Sequence, residues 1–317
     1  MNKMTAISLF SGMGGDSLGL VNSGFKLVAF SEINKIFRET HHLNFPNTQL
    51  LGENVNSDIL KIPDDEFLKY TNKIDLIFAG FPCQGFSNAG KKKINDPRNT
   101  LFKEFHRATK LIKPKIIIGE NVKGLLSRKT ENNENYIDII KKEFEKLGYD
   151  IQYKVFDCEK YNIPQLRKRL IILGIQKSLN IKYSFPKENN IKLNLRNIIE
   201  FDMKGCIKID KNTFDFNTIN QNNIIKNLDN DENENNIHPY LKSKVYSNNK
   251  SYNNKTYNSL ISFSKRDSPI HCEIINIDKP SKTIICTYEH QPRLFVPIQN
   301  KNGYFIRPLL VYELNKY

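Results

Sequence analysis

A thiol in a tight loop can attack carbon, and Gly80-Phe81-Pro82-Cys83-Gln84 places one there. The loop follows Ile74-Asp75-Leu76-Ile77-Phe78-Ala79, a short β-branched and aromatic run broken by Gly and Pro, which predicts a buried parallel strand. Open α/β sheets carry their chemistry at the carboxyl ends of such strands. Further along, Glu120-Asn121-Val122 follows a second apolar run, and Gln165, Arg167 and Arg169 stand at alternate positions. A thiol, a carboxyl group and guanidinium groups suit covalent catalysis with proton transfer. Each also has a plainer reading, since most cysteines only pack and an Arg-x-Arg is usually solvated charge. The order of the three groups along one alternating pattern is what joins them.

A Gly-rich turn, Ser11-Gly12-Met13-Gly14-Gly15, links the first strand to the first helix. Glycines let a ligand approach the backbone, and the helix start offers free N–H groups. The spacing is not Gly-x-Gly-x-x-Gly, which counts against a dehydrogenase, and the absence of a phosphate-gripping Lys counts against a triphosphate. Glu32 closes the second strand, where an acid binds ribose hydroxyls in nucleotide-type sites. Ser57-Asp58-Ile59 follows the third strand and is placed to meet an adenine amino group. The set predicts an adenosine-bearing cofactor lying across the strand ends. No metal site is expected: the five cysteines include no Cys-x-x-Cys, and their odd number argues against a disulfide framework.

These groups need a scaffold, and the first half of the chain alternates strand and helix signals. Strands are expected at Ala6–Phe10, Lys26–Phe30, near Leu50, at Ile74–Ala79 and at Lys115–Ile118, with a late pair at Tyr149–Phe156 and Arg169–Gly174. Helices are expected through Leu18 and Val21, from about Asn34 to His42, over Thr100–Ile112 and over Tyr136–Leu147, the last closed by Gly148. Such alternation implies an α/β, Rossmann-like, mostly parallel sheet with helices on both faces. Residues 212–258 are about one-third Asn with little periodicity, and read as loops and insertions rather than packed core. Order returns over Ile270–Pro297 as a small β-rich unit, and no internal repeat is evident. A net charge of +14 and a pI near 9.4 suit an anionic polymer as partner. The opening residues leave no room for a signal peptide, and no apolar run approaches a bilayer-spanning length. A soluble protein in a reducing compartment is the expectation.

As a set, these motifs resemble those of the cytosine carbon-5 DNA methyltransferases, in the same order. Ser8–Gly15 is similar to the first motif, Glu32 and Asp58 to the cofactor acids, and Phe81-Pro82-Cys83-Gln84 to the catalytic loop. Asp96–Phe102, Glu120-Asn121-Val122-Lys123-Gly124 and Pro164–Arg169 are similar to later motifs. The likeness covers nearly all of residues 5–175 and resumes at Arg307, where Arg307 and Glu313 resemble the start of the ninth motif. Pro280-Ser281-Lys282-Thr283-Ile284 resembles a Thr-containing signature near the end of the recognition region. The resemblance implies a catalytic and cofactor domain over 1–185, a target-recognition domain with Asn-rich insertions over 186–300, and a truncated return segment over 301–317.

It also implies roles. Cys83 adds to cytosine, Glu120 attends ring nitrogen 3, Arg167 favours the thiolate and Arg169 holds the cytosine carbonyl. A free thiol, with pKa about 8.5, is only a few per cent ionised at neutral pH, so such help is needed. S-adenosylmethionine is the implied cofactor, held by Phe10, Ser11, Gly12, Gly14, Gly15, Glu32, Asp58, Ile59, Pro82 and Leu101. DNA contacts fall to Gln84, Ser87, Lys91, Gln165 and Arg293, with Lys265, Arg266 and Gln291 as further candidates for base readout. The target base must leave the duplex, at a cost of roughly a few kcal/mol. The implied setting is a restriction–modification system, functionally linked to an endonuclease and located in the cytoplasm if bacterial, in the nucleus or a viral factory otherwise. The chain stops inside the ninth motif, which raises a split enzyme with a second chain, a fragment and an inactive DNA-binding remnant as alternatives. Methylation of cytosine in transfer RNA is a further one, disfavoured by the long Asn-rich region.

Overall fold

The structure is a computed structural model that describes residues 3–82, 101–130, 132–189, 191, 193–200, 202–210, 214–226, 241, 245–246, 250–252, 255–257, 261–263, 272–284 and 292–316. Chain contacts divide it into two units, Met1–Phe156 with Lys168–Pro186, and Asp157–Arg167 with Lys187–Tyr317.

The first unit is built in the order β1 (Thr5–Leu9), α1 (Gly15–Asn22), β2 (Lys26–Ser31), α2 (Lys35–Asn44), β3 (Gln49–Leu50), α3 (Asp64–Leu68), β4 (Leu76–Ala79), α4 (Phe102–Ile112), β5 (Ile116–Val122), α5 (Tyr136–Lys146) and β6 (Tyr149–Asp157). After β7 (Gln165–Leu166), which belongs to the second unit, β8 (Lys168–Gln176) returns to complete the sheet. The strand order is β3-β2-β1-β4-β5-β8-β6. Strands β1 to β5 run parallel and β8 lies antiparallel to β5. The order reverses between β1 and β4, the switch point where a crevice opens beyond the carboxyl ends. This is the α/β, Rossmann-like architecture expected.

Side chains alternate across the sheet and separate two packed faces. Ile7, Leu9, Ile77, Ala79 and Ile117 meet Phe67 of α3, Phe102, Phe105 and Ala108 of α4, and Ile137, Ile140 and Phe144 of α5. The opposite face carries Ala6, Leu27 and Leu76 against Leu20 of α1. Helix α4 forms because Phe102, Phe105, Ala108, Thr109 and Ile112 make one buried stripe. It stops at Lys113, left-handed at φ +54°, directly before Pro114. Gly174 is required by packing, since a Cβ there would stand 2.6 Å from both Ile117 Cγ1 and Ile151 Cδ1.

Two expectations are corrected. Strand β5 does not end at Ile118 but runs to Val122, so Glu120 lies within the ladder, opposite Ile171. Its polar residues remain in the strand because β8 supplies backbone partners as far as Arg169. The Asn-rich stretch is not simply looped out. Phe214, Phe216 and Ile224 are buried in a core with Ile274, Phe295 and Ile306, and Phe216 stacks on Tyr304 at 4.6 Å. Few apolar residues lie among the asparagines, and these described ones are used.

That core belongs to the second unit, with strands β9 (Ile207–Lys208), β10 (Ile225–Lys226), β11 (Val245–Tyr246), β12 (Lys250–Tyr252), β13 (Lys255–Tyr257), β14 (Ser262–Phe263), β15 (Glu273–Ile274), β16 (Ser281–Lys282), β17 (Leu294–Asn300) and β18 (Gly303–Pro308), then α6 (Val311–Leu314). Its main sheet runs β10-β17-β18-β9, with β15 also on β17. The final segment therefore pairs within this unit. A wholly buried ion pair locks it: Arg307 Nη2 and Nη1 meet Glu313 Oε1 and Oε2 at 2.7 and 2.8 Å. Arg307 also donates to the carbonyls of Asp202, Glu200 and Pro308, while Glu313 accepts from the amides of Glu200 and Leu310. A buried charge stripped of its partner is costly. Arg307→Met is expected to cost about 3–5 kcal/mol in urea unfolding, whereas pairing it with Glu313→Leu should recover only part of the loss, because the amides of Glu200 and Leu310 then lack their acceptor.

Candidate functional site

Site residues gather at the carboxyl ends of β1, β2, β4 and β5. Phe10 leaves β1 in the left-handed region, φ +57°, which turns the chain into the Gly-rich loop. Gly12 (φ +55°) and Gly14 (φ +97°) continue this path. At Gly14 a Cβ would stand 2.7 Å from Phe45 Cε2, so only Gly seats the loop over α2. At Gly12 and Gly15 a Cβ would meet nothing within 4 Å, which leaves open space beside the turn for a ligand.

Glu32 is tied in from three sides. Its Oε2 accepts from Gly12 N at 2.9 Å and its Oε1 from Asn34 N at 2.7 Å, joining the loop to the start of α2. Its own N–H donates to Ser57 Oγ at 3.0 Å. Ser57 is 1% exposed and left-handed at φ +55°, so its hydroxyl performs a bonding task at a position where the family resemblance suggests Gly. Asp58 accepts from Leu60 N and pairs with Lys61 at 3.3 Å. Ile59 is 5% exposed and packs in the core. Leu101 is half-buried against the same core, and Pro82 is half-buried at the last described position of its loop.

Across the switch point, Glu120 Oε1 pairs with Arg169 Nε at 2.6 Å, with both side chains about a quarter exposed. Arg169 Nη1 donates to Lys168 O. A Cβ on Gly80 would lie 3.7 Å from Phe10 O and 3.9 Å from Glu120 Oε2, so the carboxyl group stands beside both the Gly loop and the start of the Cys83 loop. Asn121, 2% exposed, donates from Nδ2 to Phe81 O at 3.2 Å and accepts on Oδ1 from Val122 N. This buried amide pins the residue two before Cys83, a task that a polar residue inside an apolar strand could have signalled.

Another group the sequence did not single out is Asp16, in the first turn of α1. Ser8 Oγ, fully buried on β1, donates to Asp16 Oδ2. Burial pushes the Asp16 carboxyl up to about 6, against the lowering effect of Ser8, and the charge of Glu120 adds to the rise. His41, bonded through Nε2 to Ser17 Oγ at 2.9 Å and stacked on Phe30 at 3.7 Å, is driven down to about 4 by burial.

Cys83, Gln84, Ser87 and Lys91 lie outside the described residues, as do Lys265, Arg266 and Gln291. Gln165 and Arg167 belong to the second unit, where β7 pairs with β16 and Thr283 Oγ1 donates to Leu166 O at 2.9 Å. Arg167 O accepts from Cys158 N, and Arg293 O from Glu273 N. Among the described residues there is no cluster of His, Cys, Asp and Glu that could hold a metal, and no helix long and apolar enough to cross a membrane. Around the turn the carboxyl groups are Asp16, Glu32, Asp58 and Glu120, whereas Lys61 and Arg169 are each paired with one of them. That donor set, with open space at Gly12 and Gly15, fits a cationic, nucleoside-bearing ligand better than a polyphosphate.

The fold is thus that of an α/β protein with a carboxyl-rich set of side chains at the strand ends around its switch point. The family model for C-5 cytosine-specific DNA methylases matches residues 4–314, and the chain belongs to that family. It is 39% identical over 196 residues to the type II methyltransferase M1.HphI of Haemophilus parahaemolyticus, covering 60% of this chain and 50% of that protein. To M.NgoPII of Neisseria gonorrhoeae it is 36% identical over 203 residues, covering 62% and 57%. The chain thus spans about half the length of the curated relatives it matches. A DNMT2 variant from Spodoptera frugiperda shares the fold, with TM-score 0.50, 24% identity, and coverage of 67% of this chain and 62% of that one.

The Glu32 connection can be measured through its serine. Ser57→Ala leaves the part-buried Glu32 N–H without its acceptor and should cost about 1 kcal/mol, read as a lowered denaturation midpoint.

Proposed function

We propose that this chain methylates carbon 5 of cytosine in duplex DNA, as the modification activity of a restriction–modification system. The observation that carries the reading is the Glu120–Arg169 pair at the end of β5, beside Gly80 and directly ahead of the Cys83 loop. Membership of the C-5 cytosine-specific family and the type II methyltransferase names of the relatives support it.

Carbon 5 of cytosine is a poor nucleophile until the ring is activated. Cys83 as thiolate adds to carbon 6, a carbon–sulfur bond forms, and ring electrons move towards carbon 5. Glu120 donates a proton or hydrogen bond at ring nitrogen 3, where negative charge would otherwise gather. Arg169 orients Glu120 and remains close enough to its carboxyl group to serve the neighbouring carbonyl oxygen. Once carbon 5 has gained its methyl group, its proton leaves to solvent base and the carbon–sulfur bond breaks, returning the thiolate. S-adenosylmethionine, when bound, supplies the electrophilic methyl group. Gly12, Gly14 and Gly15 allow its approach, Glu32 holds the ribose end and Asp58 the adenine. The target cytosine is extruded from the duplex, and basic side chains bind phosphates in a salt-dependent manner.

Three measurements test this. Cys83→Ser should abolish methyl transfer to duplex DNA, and Glu120→Gln should lower kcat by roughly 10²–10⁴-fold. DNA carrying 5-fluorocytosine should trap the wild-type chain as a covalent adduct that Cys83→Ser cannot form. Methylation that survives Cys83→Ser overturns the proposal.

A further inference from the structure

We propose that Asp16, held by Ser8, is a positioning residue for the positively charged methionine end of the cofactor. The inference rests on S-adenosylmethionine being the donor, and extends that reading to a residue the sequence comparison does not single out.

Placement is the first argument. The strand order is β3-β2-β1-β4-β5, and the acids suited to ribose and adenine, Glu32 and Asp58, follow β2 and β3. A nucleoside anchored there leaves the rest of its ligand running over β1 towards β4. Ser8 lies on β1, in register with Phe78 of β4, which in turn pairs with Ile118 of β5. Alternation puts Ser8, Phe78, Ile118 and Glu120 on one sheet face, and α1 covers that face at β1. Asp16 reaches down from α1 to the fully buried Ser8 hydroxyl, so its carboxyl group is fixed in direction, and it lies near enough to Glu120 for the two charges to act on each other.

Charge is the second argument. Among the described residues no Lys or Arg pairs with Asp16. The charged group that faces it is Glu120, which is held by Arg169. His41, bonded to the adjacent Ser17, is neutral near pH 6 because burial holds its pKa at about 4. A carboxyl group whose folded pKa is raised to about 6 is ionised at neutral pH at the expense of folding stability. A bound ammonium or sulfonium would supply the missing countercharge, and Ser8 keeps the group aligned meanwhile.

The sign follows from linkage. A cation prefers ionised Asp16, so binding is strongest above about pH 6 and must displace a proton below it. Calorimetric titration with S-adenosylmethionine should show the wild-type Kd about tenfold weaker at pH 5 than at pH 7. Asp16→Asn, which still accepts from Ser8, should bind at least tenfold more weakly at pH 7, lose that pH dependence and melt at the same or a higher temperature. Ser8→Ala should move the wild-type pH midpoint upward, because the hydrogen bond that lowers the Asp16 pKa is gone. Adenosine alone, lacking both cationic groups, should bind wild type and Asp16→Asn equally. Wild type that binds no S-adenosylmethionine at any pH overturns the cofactor reading itself. Wild-type binding that Asp16→Asn leaves unchanged, or a variant that loses adenosine equally, overturns the role of Asp16 alone.

Discussion

The parallel register of β1, β4 and β5 is the constraint on which the site depends. Ala6 to Leu9 pair with Leu76 to Ala79, which pair with Ile116 to Gly119, so the three strands end level. Level ends bring Phe10, Gly80 and Glu120 within a few ångströms, although they are far apart in sequence. A slip of one residue would turn Glu120 to the opposite face, into the apolar layer of α4 and α5. That layer is what resists the slip, since Ile7, Ile77 and Ile117 would then have to leave it. Packing on one face thus fixes chemistry on the other.

Backbone amides and buried side chains then convert alignment into rigidity. Glu32 fastens the Gly loop to the beginning of α2, Ser57 fastens Glu32, and Asn121 fastens the Phe81 carbonyl. Each bond satisfies a group that folding removes from water, so stability and positioning come from the same contacts. Asp16 departs from that economy: its burial raises the energy of its charged form, against the lowering effect of the Ser8 hydroxyl. In the second unit, Arg307 and Glu313 show the opposite case, a charged pair with partners on every side and a structural task alone.

Much of this was legible in the order of residues. Short apolar runs with β-branched side chains announce β1, β2, β4, β5 and β8, and the stripes of α4 and α5 follow from period 3.6. The Gly loop and Glu32 could be placed because strand ends in such sheets are where ligands bind. Two readings failed for physical reasons. The extent of β5 was underestimated because pairing with β8, not local propensity, keeps Glu120 and Asn121 extended. Phe214 and Phe216 were passed over because their asparagine surroundings hide any periodicity.

The amino-acid order alone settled the kind of sheet and the residue types available for chemistry, because those depend on composition and spacing along one strand or helix; the family came from the resemblance of its motifs. Which groups meet was decided only in three dimensions. The pairing of Arg169 with Glu120, the serine beneath Asp16 and the amide behind Phe81 join residues 8 to 49 positions apart, with strand register closing the distance. Spacing along a chain carries no direct record of register between strands, which arises from how the faces of a whole sheet are buried.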